Sequence, residues 1–163
     1  MRILVDADAC PVKEIIVREA KQRGIPVTML LDTSHELNDG YSTVITVDQG
    51  HDSADIRLVN LIEPGDLVVT QDYGVAAMSL GRGAKVLNQN GLVYGADNID
   101  RLLFERALGQ KIRRAGGKYG KNRRRAKADD EAFRSAFCRL LDEGPALTRG
   151  EPDVGKDHLN EKL

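Results

Sequence analysis

With 163 residues, the chain is long enough for one domain with its own hydrophobic core and too short for a comfortable second. Hydrophobic residues make up 41% of it but aromatics only 4%, with no Trp, which favours strands buried between helices over an aromatic-rich sandwich. The formal net charge of -1 hides an asymmetry: residues 101–127 carry eleven basic side chains against the single acid Glu105, so that segment is +10 and the remainder about -11.

Residues 2–6 read as a buried first strand, reaching an acid too soon to be the apolar core of a secretory signal. Pro11 followed by Val12, Ile15, Ile16 and Ala20 predicts a helix with proline in its first turn, ended by Gly24. Residues 25–31 give a second strand, and the β-α-β unit predicts a parallel sheet with right-handed crossovers. A polar stretch over 32–40 precedes a short strand at 43–47 and a helix over 53–62. Residues 66–70 form the clearest buried strand, followed by a helix over about 75–80, a Gly81-Arg82-Gly83 break and a strand at 84–87. Asn98 is placed to cap a helix carrying Ile99, Leu102, Leu103 and Leu108 into the basic segment, and 129–141 predicts one more. The expected domain covers 1–143, and Gly, Pro and charged residues over 144–163 predict a disordered tail.

The chemistry centres on aspartates at strand ends. In an open parallel sheet, ligands bind beyond the carboxyl ends of the strands. Asp6 ends the first strand, Asp8 lies two residues on, and Asp72 follows the strand that Thr70 ends. Asp52 and Asp55 flank the start of the helix after the third strand, where capping is an equal reading. Carboxylates brought together raise one another's pKa unless a cation sits between them, and the expected cation is Mg2+ or Mn2+, ions that take oxygen ligands and bridge to phosphate. Lys13, near the start of the first helix, is placed to bind phosphate; Arg18 reads as part of a solvated face.

Other chemistries find less support. Cys10 and Cys138 form no Cys-x-x-Cys or Cys/His cluster, which excludes a zinc or disulfide framework and points to a reducing cytoplasm. A Cys-x5-Arg phosphatase loop from Cys10 would need Arg where Ile16 stands. His35, His51 and His158 make no zinc signature, and only His51, beside Asp52, is placed near the acids. No apolar run has the length of a membrane span.

Six segments together resemble the bacterial YaiI/YqxD family: Asp6-Ala-Asp-Ala-Cys-Pro-Val-Lys13, Asp52-Ser-Ala-Asp55, residues 65–73, residues 83–88, Asn98-Ile-Asp100, and the Arg/Gly-rich stretch with Arg106 and Gly116-Gly117. They span roughly residues 1–142. The resemblance implies a PIN-like three-layer α/β/α fold with a mainly parallel sheet plus C-terminal helices. By analogy it implies metal-dependent cleavage of RNA or DNA, with Asp6, Asp8, Asp55 and Asp72 as catalytic and metal-holding acids and Thr70 as the hydroxyl beside them. A further acid of the PIN pattern would fall to Asp97 or Asp100. Arg113, Arg114, Arg123, Arg124 and Arg125 would supply salt-sensitive affinity for the backbone of RNA or another nucleic acid. Two other readings stand beside it. One is a phosphatase of the haloacid dehalogenase type, with Asp6 as nucleophile and Asp8 as general acid. The other is a nucleic-acid-binding protein without catalysis.

Overall fold

The computed structural model of the chain describes residues 1–32, 36–48, 53–118 and 123–145. Asp52, His51, His35 and Lys121 lie outside them, as does the expected tail from residue 146 onward. The elements run β1 (Ile3–Asp6), α1 (Lys13–Gln22), β2 (Val27–Asp32), β3 (Thr43–Val47), α2 (Ala54–Leu61), β4 (Leu67–Val69), α3 (Tyr73–Gly81), β5 (Lys85–Leu87), β6 (Val93–Tyr94), α4 (Ile99–Arg114) and α5 (Lys127–Glu143).

The six strands form one sheet in the order β3-β2-β1-β4-β5-β6. β1 to β5 pair in parallel, and β6 returns antiparallel along β5. The chain builds outward from β1 in one direction, then crosses back to place β4 on the other side of β1. This reversal is the topological switch point, where neighbouring strands part and leave a crevice at their carboxyl ends.

Alternation along each strand feeds two cores. Ile3, Val5, Met29, Leu31, Leu67 and Val69 face a layer holding α1 and α5, which contributes Phe133 and Phe137. Leu4, Leu30, Val68 and Val86 face α2, α3 and α4 through Leu58, Val75, Ala76 and Leu102. The result is the expected three-layer α/β fold with a mainly parallel sheet and helices at the C-terminal end.

Three helices end in the same device. After α1, Gly24 and Ile25 donate to the carbonyls of Lys21 and Ala20; after α3, Gly83 and Ala84 donate to Leu80 and Ser79; after α4, Gly116 and Gly117 donate to Arg113 and Ile112. Each pair of bonds is a Schellman closure, and Gly24, Gly83 and Gly116 take the positive φ it demands.

Three details depart from expectation. Pro11 precedes α1 rather than standing within it, since the helix opens at Lys13 behind Val12. β6 went unpredicted because two residues are too few to show alternation. α3 begins at Tyr73, earlier than its apolar spacing indicated, because the Asp72 side chain caps it.

The basic segment is built into the fold rather than hanging from it. Most of its first half is helix α4, with Lys111, Arg113 and Arg114 in the last turn, where cations complement the helix dipole. At the other end, Arg123 pairs with Asp129 at 2.6 Å and Arg125 with Asp130 at 2.8 Å. Arg125 also donates to the Gln89 carbonyl and to Asn90 Oδ1, tying the start of α5 to the β5–β6 turn. Gly91 in that turn lies against α5, where an added Cβ would collide with the Ala132 carbonyl oxygen.

Candidate acidic site at the switch point

Asp6 and Thr70 leave adjacent strands, β1 and β4, at the switch point. Thr70 is buried and bridges the two principal acids: its hydroxyl donates to Asp6 Oδ2 at 3.2 Å and accepts from the Asp72 amide at 3.1 Å. Asp72 Oδ1 accepts from the amides of Gly74 at 2.8 Å and Val75 at 3.1 Å, capping α3. Arg106, reaching over from α4, donates to the same oxygen at 3.3 Å. A Cβ on Gly74 would come within 3.1 Å of that oxygen, so glycine gives the cap and the arginine room to meet.

Asp8 sits in the loop after β1, and its Oδ2 accepts from the Asp32 amide at 3.1 Å, anchoring this loop to the end of β2. Between Asp8 and Cys10, Ala9 has a φ of 55°, a left-handed conformation that costs a non-glycine residue of order 1 kcal/mol and recurs at functional loops. Gln71 holds it there by donating to the Ala9 carbonyl at 3.1 Å. Lys13 Nζ lies 3.4 Å from the Ala7 carbonyl, placing an ammonium beside the acids. Asp6, Asp8, Ala9, Gln71 and Asp72 line a cleft of about 270 Å³.

The electrostatics identify Asp6 as the centre. Burial pushes its pKa up to about 6, the Thr70 hydroxyl opposes the rise, and Asp55, Asp8 and Asp72 add to it by repulsion. Asp55 reaches this field from the first turn of α2. Three of the predicted acids therefore act on the fourth, Asp6. Asp97 and Asp100 are exposed near the start of α4 and do not line the cleft. Arg113, Arg114, Arg123 and Arg124 are exposed, whereas Arg125 is half-buried among its structural partners.

The donors suit a hard dication in kind, since all are carboxylate oxygens and their mutual repulsion is what a cation relieves. Among the described residues, no three His, Cys, Asp or Glu side chains already surround one point. Magnesium does not need such a cage: it keeps several waters and is usually held by one or two carboxylates plus substrate phosphate. Asp6 and Asp72, joined through Thr70, offer such a pair.

Replacing Thr70 by the near-isosteric Val removes both bonds and strands the Asp72 amide. The expected result is a loss of about 1–3 kcal/mol in denaturant unfolding. Loss of the opposing hydroxyl also raises the Asp6 pKa further, read by following its carboxyl carbon in an NMR pH titration.

Two features escaped the sequence reading of the site. Arg106 stood within a resembling segment but was not assigned to the acids, because a pair 34 residues apart leaves no local pattern. Gly74 was missed because the Asp72 carboxylate and the Arg106 guanidinium that crowd it meet only in the folded chain.

Fold and site together define an α/β domain with an acidic cluster at the carboxyl edge of a parallel sheet. Residues 4–143 match the family described as "Uncharacterized BCR, YaiI/YqxD family", and the chain belongs to that family. It is 69% identical to a UPF0178 protein of Ruminiclostridium cellulolyticum, covering 89% of this chain and 97% of the other. It is 52% identical to a UPF0178 protein of Alkaliphilus oremlandii, covering 94% and 99%. A crystal structure of Rae1 (YacP) from Bacillus subtilis overlaps 92% of this chain and 96% of its own, with a TM-score of 0.41 and 20% identity; a likeness at that level bears on neither activity nor site. No helix among the described residues is long and apolar enough to cross a membrane.

Proposed function

We propose that this protein is a metal-dependent nuclease that hydrolyses phosphodiester bonds of RNA or DNA with Mg2+ or Mn2+. The observation that carries the reading is that Asp6, Asp8 and Asp72 line one cleft at the switch point, with Asp55 near enough to raise the Asp6 pKa. A bound dication would neutralise these acids and stabilise charge developing on a phosphate. Asp6 and Asp72 would hold it, Asp8 and Asp55 would add negative field around it, and Thr70 would fix the spacing of the first two. Lys13 would meet a phosphate from the α1 side. Exposed Arg113, Arg114, Arg123 and Arg124 would attract the nucleic-acid backbone at longer range, while Arg125 would serve mainly by holding α5 in place.

The test is cleavage of a labelled oligoribonucleotide and its deoxy counterpart with Mg2+, Mn2+ or EDTA, alongside para-nitrophenyl phosphate. Metal-dependent cleavage lost in Asp72→Asn is the expected result. Hydrolysis of only the small phosphate would establish the phosphatase instead, and binding without hydrolysis would leave a nucleic-acid-binding protein.

A further inference from the structure

We infer that the cleft between α3 and α4 is a subsite for one nucleotide of a single-stranded nucleic acid, in which Tyr73 stacks on the base while Arg106 and Arg113 hold phosphate. This rests on the acid site acting on a phosphodiester, and it adds where the neighbouring nucleotide sits.

Tyr73, Glu105, Arg106, Gly109 and Arg113 line this cleft of about 230 Å³. It shares a wall with the acid site, because Tyr73 is the residue after Asp72 and the first of α3. Arg106 spans the two, lining the cleft while its Nη1 stands 3.3 Å from Asp72 Oδ1. A ligand seated here therefore has its phosphate beside Asp72 without the chain having to move.

The lining has the chemistry of a nucleotide. The Tyr73 ring packs edge-on against Tyr94, with centroids 6.0 Å apart and planes at 70°, and Tyr94 is itself buried. A half-buried ring fixed in this way is a stacking platform whose ordering cost folding has already met. Arg106 and Arg113 lie two helical turns apart, so both project from the same side of α4. Glu105 is the one acid among the lining residues, and Arg101 one turn earlier pairs with it at 3.1 Å.

The Arg106–Asp72 pair has both side chains more than a third exposed, and pairs of that kind are held weakly. The guanidinium can thus exchange a carboxylate for a phosphate, which it grips in bidentate fashion, at little cost. The size of the cleft sets the limit. Pockets that enclose a drug-sized ligand measure roughly 300–1,000 Å³, so this one accepts a single base and leaves the rest of the strand on the surface. A duplex, whose bases are stacked inward, would not present that base.

The experiment is fluorescence anisotropy of short single-stranded oligoribonucleotides and oligodeoxyribonucleotides with the full chain in EDTA, where cleavage does not intervene. Tyr73→Leu and Arg113→Gln should each weaken binding about tenfold. Arg113→Gln should also reduce the slope of log affinity against log salt by about one, and Tyr73→Phe should bind as the parent does. Circular dichroism checks that Tyr73→Leu still folds; Arg113→Gln, on an exposed position, carries the test if it does not. If both variants bind and, with Mn2+, cut like the parent, the subsite is wrong and the nuclease reading stands. If binding falls as expected but no metal supports cleavage, the nuclease reading fails and the subsite stands. Equal affinity for duplex and single strand, unchanged by Tyr73→Leu, would reduce the cleft to a general anion patch and overturn the inference.

Discussion

Replacing Asp6 by Asn is expected to abolish cleavage, lowering the rate by at least about a thousandfold, while making the metal-free protein more stable. Rate and stability part because Asp6 is a strained charge in the absence of a cation. Its carboxyl titrates near 3.8 when unfolded and near 6 when folded, so across that window the native chain holds a proton that the unfolded chain has lost. The cost of ionising Asp6 therefore sets in as pH rises from about 4 and is complete above about 6. Two units correspond to roughly 3 kcal/mol, and the side chain's partial exposure to solvent reduces this to about 1–2 kcal/mol. Asn keeps an oxygen to accept from Thr70 and removes the charge. Chemical denaturation at pH 8 should show Asp6→Asn about 1–2 kcal/mol above the parent, and the gap should close near pH 4. Equal or lower stability at pH 8 would mean that Asp6 is a structural residue whose charge the fold needs.

Glu19→Ala should produce the largest loss of stability. Glu19 is buried on α1, and its carboxylate accepts from Arg23 Nη1 and Arg134 Nε, each at 2.9 Å. Arg23 also reaches Asp142 at 2.9 Å, so one network clamps α1 to the middle and the C-terminal end of α5. The Arg23 and Arg134 guanidiniums, with a further bond from Cys138, hold the Glu19 pKa down to about 2 despite the opposing effect of burial. The sign is opposite to that at Asp6. Glu19 contributes its stability above its ordinary 4.5 and loses it as pH falls toward 2.

Removing one partner of a buried pair usually costs about 3–5 kcal/mol. The lower end applies here, because Arg23 and Arg134 are exposed enough to recover water. About 3 kcal/mol corresponds to a fall of roughly 6–12 °C in Tm for a chain of this size. α5 also supplies the stacked, fully buried Phe133 and Phe137, so its release opens the whole core on that face rather than fraying one end. Hydrogen exchange should show α1 and α5 losing protection together. Loss confined to α5 would argue against a common clamp.

The sequence made the centre of the site readable because local rules coincide there. Asp6 follows a run of three apolar residues, and Asp72 follows another, so strand ends and acids could be seen in the same few residues. The order of the strands could not be read that way. That β1 and β4 are neighbours depends on the chain reversing direction at the switch point, which no local pattern encodes. The basic segment shows the converse. Its charge was plain, but its division between α4 and a connection paired to Asp129 and Asp130 was not, because those partners lie just beyond the run. Arg125 illustrates the consequence: it counts as positive charge in the sequence and as a tie between α5 and the β5–β6 turn in the fold.

Asp72 shows that one residue can satisfy two readings. Half of its carboxylate caps α3, and its other oxygen remains for the crevice. Sequence rules weigh capping against ligation as alternatives. Here the cap orients the acid that the site uses.

The most direct measurement of the site is calorimetric titration of Mn2+ into the purified chain at pH 7.5 and again at pH 5. Saturable binding is expected at pH 7.5, weakened at pH 5 as protons compete for Asp6, and lost in both Asp6→Asn and Asp72→Asn while their folds persist. No binding at millimolar Mn2+, or binding that survives both substitutions, would contradict an ion site at the switch point.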